Sequence, residues 1–168
     1  MLRRLSLRDF VIVPSLEVEF GPGFTVLTGE TGAGKSILID ALQLALGARG
    51  DALVVREGAP RAEIAAEFDA PPSLNPWLEE AGFESTGDML LLRRTIDAQG
   101  KSRAWINGSP ATVTQLREAA DALVDDPARD LALAEARDLH LGADRLVRLV
   151  EHRLQLRERD LHDELDPG

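Results

Sequence analysis

The chain has no cysteine. That excludes a disulfide scaffold and any metal site built on thiolates, and it suits a reducing cytoplasm. Lysine is nearly absent too, with two residues against seventeen arginines, a skew that speaks of high-GC coding rather than of function. No apolar stretch approaches the ~20 residues of a membrane span, so no membrane partner is expected. The opening residues Met1 to Arg8 alternate like a strand and hold no apolar core of a secretory signal, which makes a cytoplasmic protein the expectation. A basic surplus is also missing. The net charge is −10, so the chain as a whole is not a surface for polyanions. Residues 1–124 hold 17 acidic and 12 basic groups, and residues 125–168 hold 12 and 7, so each part carries −5. Contact with DNA would need a local patch, either Arg3, Arg4 and Arg8, or Arg93, Arg94, Lys101 and Arg103. Solvated strand faces are the simpler reading of both groups.

What is present is a globular composition. The 168 residues are 44% hydrophobic, enough for one cored domain, or one domain and an appendage. The most informative segment is Gly29-Glu30-Thr31-Gly32-Ala33-Gly34-Lys35-Ser36, which is G-x-x-x-x-G-K-[ST], the phosphate-binding P-loop. Its glycines let backbone N–H groups close on phosphate oxygens. Lys35 is placed to reach the β- and γ-phosphates as a point charge, and Ser36 to put its hydroxyl on Mg²⁺. The context is the required one. Phe24-Thr25-Val26-Leu27-Thr28 reads as a buried strand, and Ile37, Leu38, Ala41, Leu42 and Ala45 recur at helical spacing. The N-terminus of that helix would face the nucleotide.

Elsewhere the pattern predicts strands over Leu2 to Phe10 and Ser15 to Phe20, with Gly21-Pro22-Gly23 as a turn. Gly47 is expected to end the P-loop helix. Arg61 to Phe68 reads as a strand, with its alanines leaving a helix open. A short helix is expected over Leu74 to Ala81, stopped by Gly82. Met89 to Ile96 and Ser102 to Ile106 form an antiparallel hairpin, followed by a tight turn at Asn107-Gly108. Residues 112–124 form a helix with Thr112 as N-cap and Val113, Leu116, Ala120 and Leu123 on one face. Asp125-Asp126-Pro127 breaks that helix, and residues 128–165 are Leu, Arg, Asp and Glu in helical rhythm, read as two helices split near Gly142.

Several stretches together resemble the amino-terminal head of the RecN family of bacterial DNA repair proteins, which belongs with the structural-maintenance-of-chromosomes (SMC) ATPases inside the ABC-type class. They are Leu5 to Val13, Thr28 to Ser36 with Ile39-Asp40-Ala41-Leu42, Leu46-Gly47-Ala48-Arg49, Val55-Arg56-Glu57-Gly58, Leu91-Leu92-Arg93-Arg94, Gly100 to Gly108, and Gln115-Leu116-Arg117-Glu118. The likeness runs from residue 1 to about residue 124. It implies an α/β fold, a P-loop ABC-type ATPase head lobe with an antiparallel β-subdomain, extended by a helical tail over 125–168. It implies ATP and Mg²⁺ as ligands, with Gly29 to Ser36 as the phosphate loop and Ser36 as the metal ligand. It implies a role in recombinational repair of double-strand breaks. The partners implied are a second head or a complementing carboxy-terminal lobe, with DNA engaged through the whole protein and a nucleoid association inside the cytoplasm. Asp9 stands where the family usually has Asn.

The resemblance stops after Val124. The family continues into a glutamine loop, whereas this chain reads Asp125-Asp126-Pro127. It holds no Gly-Gly pair for a signature loop. Ala122 to Asp126 superficially matches a Walker B strand but reads better as a helix end. His140, His152 and His162 sit in the charged tail and read as helix surface. Asp97-Ala98-Gln99-Gly100 matches D-x-x-G, but falls in a hairpin loop and is read as coincidence. The expectation is therefore an ATP-binding lobe that is incomplete for hydrolysis by itself. The alternative is a truncated or frame-shifted remnant that acts at most as a non-catalytic interaction module. A small P-loop kinase is disfavoured, because no segment is placed as an arginine-bearing lid.

Overall fold

The computed structural model describes residues 1–21 and 32–124. The expected strand Phe24–Thr28, the loop residues Gly29, Glu30 and Thr31, and the tail 125–168 with its three histidines lie outside the described residues.

Among the described residues six strands form one antiparallel sheet: β1 (Leu2–Phe10), β2 (Val13–Glu19), β3 (Arg61–Asp69), β4 (Met89–Asp97), β5 (Ser102–Ile106) and β6 (Ser109–Ala111). Their order is β2-β1-β3-β4-β5-β6. Among the described residues three α-helices accompany them: α1 (Gly32–Ala45), α2 (Asn75–Glu80) and α3 (Val113–Val124). Period-two burial fixes the sheet's inner face. Leu5, Leu7, Ala62, Ile64, Ala66, Phe68, Leu90, Leu92, Ile96, Ala104 and Ile106 are all buried. Helix α1 packs on that face against β3, β4 and β1. The alanines of β3, which left its assignment open in the sequence, are inward-facing small residues beneath α1.

The opposite face carries ion pairs. Arg4 stands between Glu67 (2.6 Å) and Glu17 (3.3 Å). Arg93 meets Glu63 at 2.8 Å and lies 5.0 Å over the Trp105 ring. At the bulge between Leu2 and Arg4, Arg3 pairs with Asp69 and with Asp88 (3.2 Å). Three of the seven basic side chains considered for DNA are thus matched to carboxylates of the same lobe, as solvated strand faces predict.

Two turns explain how the strands close. Phe10 pairs with Val13, so only Val11 and Ile12 join β1 to β2. Asp9 and Val11 take φ of 51° and 52°, rare for a β-branched residue. The turn is held from outside: Val11 N–H donates to Val54 O at 2.8 Å and Arg56 N–H to Asp9 O at 2.9 Å. Aspartate tolerates this conformation much as asparagine does, which accommodates Asp9 in place of the family's Asn. The second turn is Asn107-Gly108, with φ of 49° and 84° as expected. It leads into β6, which the sequence pattern did not reveal. Ser109-Pro110-Ala111 is too short to show a period, and its proline is acceptable because the strand lies at an edge.

Helix α3 starts on a reciprocal cap. Gln115 N–H donates to Thr112 Oγ1 at 3.1 Å, and Thr112 N–H donates back to Gln115 Oε1 at 2.9 Å. Leu116, Ala119, Ala120 and Leu123 are buried. Ala122, Leu123 and Val124 belong to this helix, so they are not a Walker B strand.

Candidate functional site

Helix α1 begins at Gly32, inside the motif, five residues before the apolar stripe that signalled it in the sequence. Gly32, Ala33, Gly34, Lys35 and Ser36 therefore form its first residues, while Gly29, Glu30 and Thr31 lie outside the described ones. The first four N–H groups of a helix have no intrahelical acceptor, and here no acidic residue occupies the first turn to compete for them. Ser36 is exposed. Ile37, Leu38, Ala41, Leu42, Leu44 and Ala45 are buried, so the helix is packed against the lobe from Ile37 to Ala45. Its 14 residues span about 21 Å.

The far end of α1 is tied by an arrangement of carbonyls. Gly47, at φ 93°, ends the helix as expected. Gly47 N–H donates to Leu44 O at 3.1 Å and Ala48 N–H to Gln43 O at 2.9 Å, the Schellman pattern. Two arginines then take carbonyls from this end. Arg94 on β4 donates through Nη1 to Leu44 O at 2.9 Å and to Ala48 O, and through Nε to Ser102 Oγ at 2.9 Å. Arg117 on α3 donates through Nε to Gly47 O at 2.7 Å. Backbone approach is close here. A methyl group on Gly47 would stand 2.6 Å from Arg117 Cγ and 2.9 Å from Val113 O, and one on Gly50 would stand 2.6 Å from Ile96 Cδ1.

Arg94 corrects the reading of this cation as part of a solvated face. It is 2% exposed, and no carboxylate pairs with it among the described residues. Burial, and then the nearby charge of Arg117, push its pKa below the ordinary arginine value. Its compensation is the negative end of the α1 dipole. The signal was available: period two puts Arg94 on the same face as Leu90, Leu92 and Ile96. Adjacent Arg93, on the other face, disguised it.

Asp97 also has a structural task. Its Oδ1 accepts from Gln99 N–H at 3.0 Å and Lys101 N–H at 2.9 Å, closing the β4–β5 loop. Among the described residues no cluster of three or more His, Asp or Glu could hold a metal by itself. A P-loop cation is held instead by the Ser hydroxyl and phosphate oxygens, so Ser36 fits that role by type. Among the described residues no helix is long and apolar enough to cross a membrane.

An antiparallel β-subdomain set over a helix that starts within a P-loop motif is the amino-terminal lobe of an ABC-type ATPase head of the SMC class. Residues 4–75 match a protein family described as an AAA domain. Over 98% of its length the chain superposes, with a TM-score of 0.60 and 24% identity, on 99% of a solved chain from work on ATP-driven dimerization and DNA-stimulated activation of SMC ATPases. Within that class the sequence is of the RecN type. It is 51% identical over 127 residues to the DNA repair protein RecN of Xylella fastidiosa, covering 74% of this chain and 23% of that protein. It is 45% identical over 127 residues to RecN of Vibrio cholerae, with the same coverage. The chain thus spans about a quarter of the length of the curated relatives it matches.

Proposed function

We propose that this lobe binds Mg²⁺–ATP through Gly29 to Ser36 and forms one half of an ATP-binding interface in a RecN-type ATPase for recombinational repair of DNA double-strand breaks. The observation that carries the reading is that α1 begins within the motif at Gly32 and presents a first turn without carboxylates. Backbone N–H groups and the helix dipole would hold the phosphates. Lys35 would bring its charge to the β- and γ-phosphates, and Ser36 its hydroxyl to Mg²⁺.

Hydrolysis needs more than this. A group must orient the attacking water and others must stabilise charge on the γ-phosphoryl oxygens. The chain supplies neither a signature loop nor a glutamine loop. Turnover would then depend on a complementing lobe or a second head, and DNA would be engaged through that larger assembly. In this reading residues 1–124 are the head lobe and 125–168 a helical tail.

The test is the thermal melt of the full chain with and without Mg²⁺–ATP, beside a Lys35→Ala variant. A folded binder gains about 2.7 kcal/mol at a ligand concentration 100 times Kd. The unaltered chain should melt higher with nucleotide and Lys35→Ala should not. Equal ATP affinity in the two proteins would remove the P-loop assignment.

A further inference from the structure

We propose that Arg94, assisted by Arg117, is a positioning residue for the phosphate loop: it clasps the carboxy-terminal carbonyls of α1 and so sets where Gly32 to Ser36 stand against the sheet. The inference rests on the ATP-binding reading above and adds residues that no P-loop motif contains.

Three observations carry it. The first is the cation's cost. Its neighbours on the same strand face are Leu90, Leu92 and Ile96, all fully buried. An apolar residue at 94 would continue that face, so the arginine stands there at a desolvation cost, which the carbonyls of Leu44 and Ala48 offset.

The second is the geometry. The planar fork reaches oxygens from two elements, Leu44 O and Ala48 O at the end of α1 and Ser102 Oγ on β5. A rigid fork bonded on both sides opposes rotation of the helix about its axis as well as sliding along it, which a flexible ammonium does not. Arg117 takes the intervening carbonyl of Gly47 at 2.7 Å. Carbonyls 44, 47 and 48 are thereby claimed from β4 and α3 together.

The third is leverage. The clasped end and the first turn are separated by the whole helix, about 21 Å for 14 residues. A tilt of about 5° at the clasp moves the first turn by roughly 2 Å, several times the ~0.5 Å range of good N–H···O distances, so hydrogen bonds from that turn to a phosphate would be lost.

The experiment compares the full chain with Arg94→Met, Arg94→Lys, Arg117→Met and Lys35→Ala, measuring the melting temperature without nucleotide and the Kd for Mg²⁺–ATP. Arg94→Met should keep a cooperative melt yet bind ATP about tenfold more weakly. Arg94→Lys should recover only part of the loss, since it keeps the charge but not the fork. Arg117→Met, at an exposed position, should leave the melt unchanged and weaken binding several-fold. A purely structural role predicts lowered melting temperatures with affinity preserved. Folded Arg94→Met and Arg117→Met proteins with affinity within twofold of the unaltered chain would overturn the inference. Should Arg94→Met not fold, Arg94→Lys and Arg117→Met decide by the same criterion. If those variants bind normally while Lys35→Ala does not, only this inference falls. If Lys35→Ala also binds normally, the phosphate-loop reading falls and takes it along.

Discussion

Arg56 grips Asp9 with two nitrogens: Nε and Nη2 each stand 2.8 Å from the same carboxylate oxygen, Oδ1. The contact joins the segment after α1 to the tip of the β1–β2 hairpin, where Asp9 and Val11 hold positive φ. Both partners are partly exposed, so the pair is worth about 0.5–1 kcal/mol at low salt. Arg56→Ala should lower unfolding free energy by about that amount in urea titrations. The loss should shrink in 1 M salt, where the Debye length falls to about 3 Å. A loss that ignores salt would assign the contribution of Arg56 to packing instead.

Gly47 and Gly58 make a matched pair for a second measurement. Both take positive φ, 93° and 79°, but a methyl group meets Arg117 and Val113 at Gly47 and open space at Gly58. Gly58→Ala should cost about 1 kcal/mol from backbone conformation alone. Gly47→Ala should cost on the order of 2–4 kcal/mol, because α3 must also move. Equal costs in chemical denaturation would mean that the approach of α3 to the end of α1 is looser than the structure shows.

A third expectation concerns acid. Burial pushes the Asp69 carboxyl up, but hydrogen bonds from Arg3 and the Met1 ammonium outweigh it and hold it below the usual aspartate value. A depressed folded pKa contributes stability that is complete above the unfolded value, about 3.9, and is lost as pH falls through the folded one. Asp69→Asn should therefore be less stable than the unaltered chain at pH 7, and the gap should close below about pH 4. A gap of constant size from pH 7 to pH 3 would show that the ion pairs are not its source.

Much of this lobe was legible because its signals are local. The pattern gave β1, β4 and β5 to within a residue or two and placed β3 while leaving a helix open there, and Gly47, Gly82 and Asn107-Gly108 stop or turn the chain where their types require it. Thr112 and Gln115 sit three apart, so the cap of α3 could be read before any contact was known. What stayed hidden depends on distance along the chain. The start of α1 at Gly32 goes against glycine's low helix propensity, and is supported by an apolar stripe that begins at Ile37. β6 is too short for periodicity. Arg94 binds a helix end fifty residues earlier, and nothing in its immediate neighbours names that target. The motif itself was plain from the sequence, and so was the glycine that ends its helix, whereas the arginines that clasp that end were not.

That separation has a consequence for the order in which the protein is made. Arg94 follows Leu44 by fifty residues and Arg117 follows Gly47 by seventy. At about 5–20 residues per second, a ribosome would have completed the P-loop several seconds before either arginine left it. In that interval the nascent chain carries every motif residue for phosphate but lacks β4 and α3 to hold the helix behind them. Competence for nucleotide would then appear late and abruptly during synthesis, when the second half of the lobe arrives.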